Sequence, residues 1–492
     1  MSDKSSIKKD AVTVHPTDFA AGEVLTKLAT GQSKIIDNAA LEALHDYQPG
    51  SALEKKLVRK ADLLLIPTLW LMCVLCFMDR SNIGNANAAG MGHDLGLSDT
   101  NYSMLITVFF IAYCIWEVPS NLILTRCPRP SLYLPGLMIV WGAIVCAMSS
   151  MESYGHVLVC RVFLAIIEAG FPPGVLYIMS TWYKKNEIGK RWCLFYTAIC
   201  FSGAASGLIS GAVISGLEGV NGRRGWRWLF LIEGIVTIAV AICAAFVLPD
   251  YPHTPSKRFS EEERRLAIAR MLHDRAETAN KKKLTPIESV KAALVDLRLY
   301  LYVAVFILQN GSTTVSYFIP TVLASMGYHG TAQQWMTVPV WATGVVFLLV
   351  FPYVSDRVGN RHWFVVGGLS TGFLSAIICV SVHIDVVRYV FLCFYIAGLY
   401  MTYPLVLNWA SETINQPAEK RAIVIAFVNS AGSLSSIYGG YIWPSADAPE
   451  YKTGFITVSV FIGLALTIAI FLPLISRYLP KFTTKAEREL ED

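Results

Sequence analysis

Four ionisable side chains stand where water is scarce: Asp79 and Arg80 near the end of one long apolar run, and Arg161 and Glu168 inside another. At mid-bilayer such a residue costs about 2.5–3.5 kcal/mol on insertion scales, so each reads as functional. An arginine keeps its proton and suits fixed recognition of an anion. An Asp or Glu can give up its charge when desolvated, which suits proton carriage. Asp79 and Arg80 project about 100° apart, so they cannot both face one partner squarely. Asn82 and Asn85 extend a polar stripe from them, and Asn82 and Arg161 are candidate substrate contacts. Arg161 and Glu168 are two turns apart on one helix face, about 10 Å along the axis, too far to pair directly. Each should therefore meet groups on other helices or a substrate. The plainer alternatives are a mutually neutralising cap for Asp79-Arg80 and a static interhelical lock for Arg161/Glu168. Gln309, Asn310, Asn408 and Asn429 lie in later apolar runs and are candidates to complete a pocket, the alternative being amides that satisfy neighbouring backbone. Glu117, beside the helix-bending Pro119, is assigned to an inner gate.

The elements that position these residues follow from composition. The chain has 492 residues, 54% of them hydrophobic and 16% charged, against about 25% charged in a typical soluble domain. The apolar residues fall in about twelve runs of roughly 18–25 residues, the length a helix needs to cross a bilayer. These lie at about 63–85, 102–124, 131–149, 155–182, 191–217, 228–248, 298–322, 335–354, 363–382, 387–410, 421–443 and 455–476. The fold class is an all-α membrane protein with twelve transmembrane helices in two six-helix pseudo-symmetric bundles, and a soluble enzyme is excluded. The expected organisation is a polar tail over 1–58, a first bundle over 59–249, a central loop over 250–297, a second bundle over 298–477 and a tail over 478–492. In the central loop, Ser260-Glu261-Glu262-Glu263 has capping-box spacing and opens a charged helix, read as a surface connector. Lys and Arg concentrate in the loops on one side (Arg126, Arg129, Lys184, Lys185, Lys190, Arg191, Arg357, Arg361, Lys420, Arg421), which places both termini in the cytoplasm. Arg223, Arg224 and Arg227 on the other side could funnel anions, but beside Trp226 and Trp228 they read better as an interfacial belt.

The halves repeat each other. Span five carries Gly203-x-x-x-Gly207-x-x-x-Gly211, and span eleven carries Ala431-x-x-x-Ser435-x-x-x-Gly439. Small residues at this spacing let helix backbones approach closely, and repeated halves around a link are a transporter architecture. The segment Ser355-Asp356-Arg357-Val358-Gly359-Asn360-Arg361 resembles the D-R-x-G-x-R loop of the major facilitator superfamily; the equivalent Arg126-Cys127-Pro128-Arg129 lacks the Asp. More narrowly, the chain resembles the anion:cation symporters, especially the fungal allantoate permease-like group. That resemblance rests on Asp79 to Ala86, Glu117-Val118-Pro119-Ser120-Asn121, Arg161 through Glu168 to Gly174, Gly225 to Gly234, Leu248 to Pro252 and Ala448 to Phe455. It implies import of an organic anion such as allantoate, nicotinate, pantothenate or biotin, mostly with protons. It also implies Arg80 as the anion-binding residue, Asp79 and Glu168 as proton carriers, Arg161 as an organising or coupling residue and Tyr113 as substrate-facing. Asp356, Arg357 and Arg361 would gate the second half.

The competing function is efflux, by proton antiport, of a drug or fungal metabolite on the same fold. Antiporters of the superfamily typically carry Gly-Pro in the fifth span's glycine run. Here Gly203-Ala204-Ala205-Ser206-Gly207 has no proline, which favours symport. No G-x-x-x-x-G-K-[ST] occurs to bind ATP, and the nine histidines are too scattered for an intramembrane enzyme. The chain calls for no cofactor and no metal. Cys73-x-x-Cys76 lacks the second ligand pair a zinc site needs, and a net charge of +5 is too dispersed for nucleic acid. The expected partners are the organic anion, protons and the lipid bilayer, for a monomer in the plasma membrane.

Overall fold

The computed structural model describes residues 47–127, 129–255, 258–279, 285–414, 417–444, 447–448 and 450–478. Almost all of both expected tails, part of the central loop and the side chains of Arg126, Lys185 and Lys190 lie outside that description.

Every long described element is a helix, because the apolar runs leave backbone groups nothing but one another to bond with in hydrocarbon. The first half comprises α1 (Ala52–Ala86), α2 (Asp99–Arg126), α3 (Pro130–Met148), α4 (Tyr154–Glu168), α5 (Phe171–Trp182), α6 (Lys185–Leu217) and α7 (Gly225–Val247). Two connecting helices follow, α8 (Glu261–Ala279) and α9 (Pro286–Val295). The second half comprises α10 (Leu297–Ser312), α11 (Ile319–Ser325), α12 (Thr337–Val358), α13 (Arg361–Ser381), α14 (Asp385–Thr413), α15 (Ala418–Gly439) and α16 (Lys452–Tyr478). Ten stretches among the described residues are long and apolar enough to cross a membrane, one of them α4 and α5 together. The expected second span is α2, 28 residues long. The expected seventh span is not continuous: α10 stops at Ser312 and a tight turn over Thr313–Tyr317 leads into α11. The cause is local. The Ser312, Thr313 and Thr314 hydroxyls bond back to the carbonyls of Leu308, Asn310 and Gly311 at 2.9, 2.7 and 2.7 Å, and Pro320 at the start of α11 has no N–H to continue the ladder.

The exterior is apolar, and charged side chains lie inside, unlike a typical soluble protein. Phe246, Leu374 and Phe163 are 75%, 57% and 56% exposed, whereas Asp79, Arg161, Glu168 and Glu233 are buried. This is a multi-pass membrane protein. Helices α1 to α7 pack among themselves, as do α10 to α16, and the two groups meet along α6 with α12 and α2 with α15. The glycine run of α6 makes the first contact possible: a Cβ on Gly203 would lie 2.3 Å from the Trp341 ring. Hydrogen bonds then seal the end opposite the basic loops. Tyr102 donates to the Tyr317 carbonyl (3.2 Å), Ser103 to that of Gly440 (2.8 Å), Thr107 to that of Ile437 (2.8 Å) and Ser210 to Gln334 Oε1 (3.1 Å).

Two expectations change. The capping box at Ser260 and Glu263 forms, but α8 is more than a surface connector. Its Arg270 is almost fully buried against the first half, donating to Glu54 Oε1 at 2.8 Å, the Trp182 carbonyl at 3.0 Å and the Glu187 carboxylate. The belt reading of Trp226 also fails: its indole is fully buried and donates to Asp94 at 2.8 Å, with the Arg227 guanidinium 4.5 Å from its ring centre.

Candidate functional site

Helix α1 runs from the basic end toward the sealed end and delivers Asp79 and Arg80 one to two turns short of the seal. The adjacent residues diverge as helix geometry requires. Arg80 points to the space between the halves. Its Nε donates to Glu168 Oε2 at 2.8 Å and its Nη2 approaches the Cys76 sulfur at 3.7 Å. Its guanidinium sits 4.7 Å from the Tyr113 ring centre, 5.0 Å from Phe77 and 5.4 Å from Phe109. Aromatic faces attract a desolvated cation, so three rings and one carboxylate hold Arg80 in place. Glu168 closes α4, fully buried, and its Oε1 has no hydrogen-bond partner among the described residues. Arg161, on the same face of α4 but nearer the seal, is 3% exposed; its Nε and Nη2 have no hydrogen-bond partner among the described residues, and the Phe109 ring centre lies 5.8 Å away.

Asp79 turns the other way, into the first half, where its carboxyl lies against that of Glu233 on α7. Neither Asp79 oxygen has a donor among the described residues. Asn82 donates its amide to Glu233 Oε2, and its own oxygen accepts from Ser206 at 2.5 Å and from Asn85 at 2.9 Å. The stripe expected from Asn82 and Asn85 is therefore an internal network joining α1, α6 and α7. Its place is fixed by close packing of α7 on α3: a Cβ on Gly234 would lie 2.6 Å from the Gly142 carbonyl oxygen. Glu233 is the member that sequence reasoning left without a role. The signal in the sequence is a carboxylate eight residues past Gly225 in an apolar run, inside the Gly225–Gly234 motif.

Between the halves lies a cavity of about 450 Å³. Arg80, Tyr113 and Tyr317 line it near the seal, Trp341, Tyr400 and Tyr403 along the second half, and Trp192, Glu117 and Ala422 toward the basic end. Of the expected pocket amides, Asn310 and Asn429 line it. Asn310 donates to the Gly432 carbonyl at 2.5 Å, and Asn429 Oδ1 accepts from Tyr403 at 3.2 Å. Gln309 does not reach it: the side chain is fully buried within the second half and donates to the Leu399 carbonyl at 2.9 Å. Asn408, Asn82 and Arg161 are likewise absent from its lining. Glu117 is on the cavity wall, one turn beyond Tyr113 toward the basic end. Asp356, Arg357 and Arg361 stand at the basic end, away from the cavity. Arg361 bridges Asp356 at 2.6 Å and Glu412 of α14 at 2.5 Å, and Arg357 lies over the Tyr353 ring at 4.7 Å. Glu412 is a partner the loop motif did not reveal.

A cavity at the seam of two helical bundles, sealed at one end and carrying buried charge on its wall, defines a membrane transporter, not an enzyme. The sequence matches the family model of the Major Facilitator Superfamily over residues 69–440. The chain belongs to that superfamily. It is 34% identical to the MFS-type transporter cnsO of Penicillium expansum over 446 residues, 88% of this chain and 85% of that protein. It is 32% identical to the MFS transporter prlL of Fungal sp. (strain NRRL 50135) over 437 residues, 86% of this chain and 87% of that one. A crystal structure of a bacterial homolog to the human lysosomal transporter Spinster shares the fold, with a TM-score of 0.65 at 16% identity over 85% of this chain and 99% of that chain.

Proposed function

We propose that the protein is a proton-coupled symporter that imports a small organic anion. The observation that carries this reading is Arg80: a guanidinium on the cavity wall, held from behind by Glu168 at 2.8 Å. An incoming carboxylate and the Glu168 carboxylate compete for one cation. Protonating Glu168 removes its charge and releases Arg80 to grip the substrate with paired hydrogen bonds; deprotonation draws Arg80 back and expels the anion. Proton and anion then favour each other's binding, and the coupling is reciprocal. Asp79 handles protons behind the same wall, and Arg161 holds a positive potential over both acids.

The rest of the lining describes the cargo. Phe77, Phe110, Tyr113, Tyr317 and Trp341 offer ring faces to a flat or hydrocarbon body. Asn310, Asn429 and Ser433 on the second half offer hydrogen bonds to a polar far end. Nicotinate, allantoate, pantothenate and biotin, the acids implied by resemblance to the allantoate permease-like symporters, are the candidates. The basic end is taken as cytoplasmic by its Lys and Arg loops, in a plasma membrane, with both termini on that side. Glu117 and the Asp356–Arg361–Glu412 cluster act as gates toward it. The test is uptake of each radiolabelled acid into proteoliposomes with and without an inward proton gradient. One acid should accumulate uphill only with the gradient; gradient-independent uptake of all four, or none of any, overturns the reading.

A further inference from the structure

We propose that Glu233 is a second proton-binding residue, which shares one proton with Asp79 in a sealed pair behind the substrate cavity. The inference rests on the reading of Asp79 as a proton-handling residue and deepens it.

The geometry leaves few ways to satisfy these two carboxyls. Asp79 is 2% and Glu233 is 3% exposed, and neither lines the cavity. The Asn82 oxygen is occupied by Ser206 and Asn85, so its N–H faces Glu233 and supplies one oxygen. Glu233 Oε1 and both Asp79 oxygens are left without a donor among the described residues. Two ionised carboxylates in contact would repel with nothing to hold them. A proton between them removes one charge and supplies the missing donor, as in pairs that titrate together.

Neighbouring charge agrees. The charged groups facing the pair are Arg161 and Glu168, both from α4. Helix α6 contributes the Ser206 hydroxyl, and α3 contributes Gly142 and Cys146, whose thiol donates to the Leu231 carbonyl. Arg161 is the independent sign that the site is built for charge, since its buried Nε and Nη2 have no hydrogen-bond partner among the described residues. Arg80 and Glu168 cancel each other. The singly protonated pair, with one net negative charge, then balances Arg161. With no proton the buried cluster would carry an uncompensated charge in hydrocarbon, the costly state.

The pair joins α1 to α7 inside one half, so it survives any rocking of the two halves against each other. Removing Glu233 leaves Asp79 as a lone acid beside Arg161, with no second carboxyl to share its proton.

The test uses full-length protein in proteoliposomes and needs no substrate. Infrared difference spectra between neutral and acid pH, in H2O and D2O, report protonated carboxyls by their C=O stretch. A band present in wild type should vanish in Glu233→Gln and in Asp79→Asn, and persist in Glu168→Gln and in the conservative Glu233→Asp. Monodisperse elution of each variant establishes that it is folded. A band unchanged in folded Glu233→Gln overturns the proposal, whether or not any acid is transported. Failure of all acids in the uptake screen would instead strike the symport reading and leave this band in place. If a labelled acid such as nicotinate is transported, Glu233→Gln should also displace the uptake pH profile; an unmoved profile counts against the shared proton.

Discussion

Replacing Arg80 by lysine separates charge from shape at the point where the anion is proposed to bind. The charge is kept, but the planar fork is lost. Arg80 spends Nε on Glu168 and directs Nη2 at the weakly accepting Cys76 sulfur, so a carboxylate that displaces the thiol could be gripped by two charge-assisted hydrogen bonds from the terminal nitrogens. Lysine presents one nitrogen and can keep only one of them well aligned. A hydrogen bond to a charged group is worth about 1.5–3 kcal/mol. At about 1.4 kcal/mol per tenfold, Arg80→Lys should weaken substrate affinity about 10- to 150-fold. The Tyr113 face, 4.7 Å from the guanidinium, still attracts an ammonium, so expression and membrane insertion should survive. The assay is the concentration dependence of counterflow exchange in proteoliposomes, using the acid that accumulates best. Counterflow needs no proton gradient and therefore reads recognition apart from coupling. An unchanged affinity in a folded variant would refute the reasoning and move the anion site away from Arg80.

Coupling should fail separately from recognition: Asp79→Asn and Glu168→Gln should abolish gradient-driven accumulation while counterflow partly survives, and normal uphill accumulation in both would remove these acids from the mechanism. The two amides should part company, with Asn429→Ala weakening substrate affinity and Gln309→Ala leaving affinity intact but lowering the melting temperature, because the Gln309 bond to the Leu399 carbonyl at 2.9 Å is packing, not pocket. At the basic end of the second half, burial alone would raise the Asp296 carboxyl, but Arg298 at 2.6 Å and Lys420 at 3.0 Å hold it below the usual carboxylate range. A lowered folded value means its stabilisation is complete above the unfolded value near about 3.9 and is lost as pH falls through the folded one. Asp296→Asn should therefore cost about 3–5 kcal/mol at neutral pH, the scale for breaking a buried pair, and thermal melts should show the deficit closing in strong acid.

Much of this site was legible because charge inside an apolar run is rare and expensive. Asp79, Arg80, Arg161 and Glu168 stood out on that ground alone, and the two-turn spacing of Arg161 and Glu168 correctly denied them to each other. What spacing could not reveal is direction. Asp79 turns inward to Glu233, not to the cavity, because α7 lies close to α3 at Gly142 and Gly234, a packing fact written in no single segment. The amides were ambiguous for the same reason: Gln309 and Asn310 are neighbours about 100° apart on one helix, and only Asn310 reaches the cavity. Helix ends extend beyond the apolar runs where polar residues cap them. Ser51 caps α1 through the Glu54 N–H at 3.2 Å, so that helix starts at Ala52, well before the apolar run at about 63. The break after Ser312 lay hidden in a run of Ser and Thr, whose hydroxyls are apolar enough to span a membrane yet compete for helix carbonyls.

The central claim is that an anion enters with protons through the Arg80–Glu168 exchange. The direct measurement is initial uptake of the labelled acid by cells expressing the protein and by cells lacking it, as the external medium is taken from neutral to mildly acid. Uptake should rise with acidity, collapse with a protonophore, and be poorly inhibited by the amide of the same acid, which keeps the size but not the charge. If cells lacking the protein retained more of the labelled acid than cells expressing it, transport would run outward and the account would be contradicted.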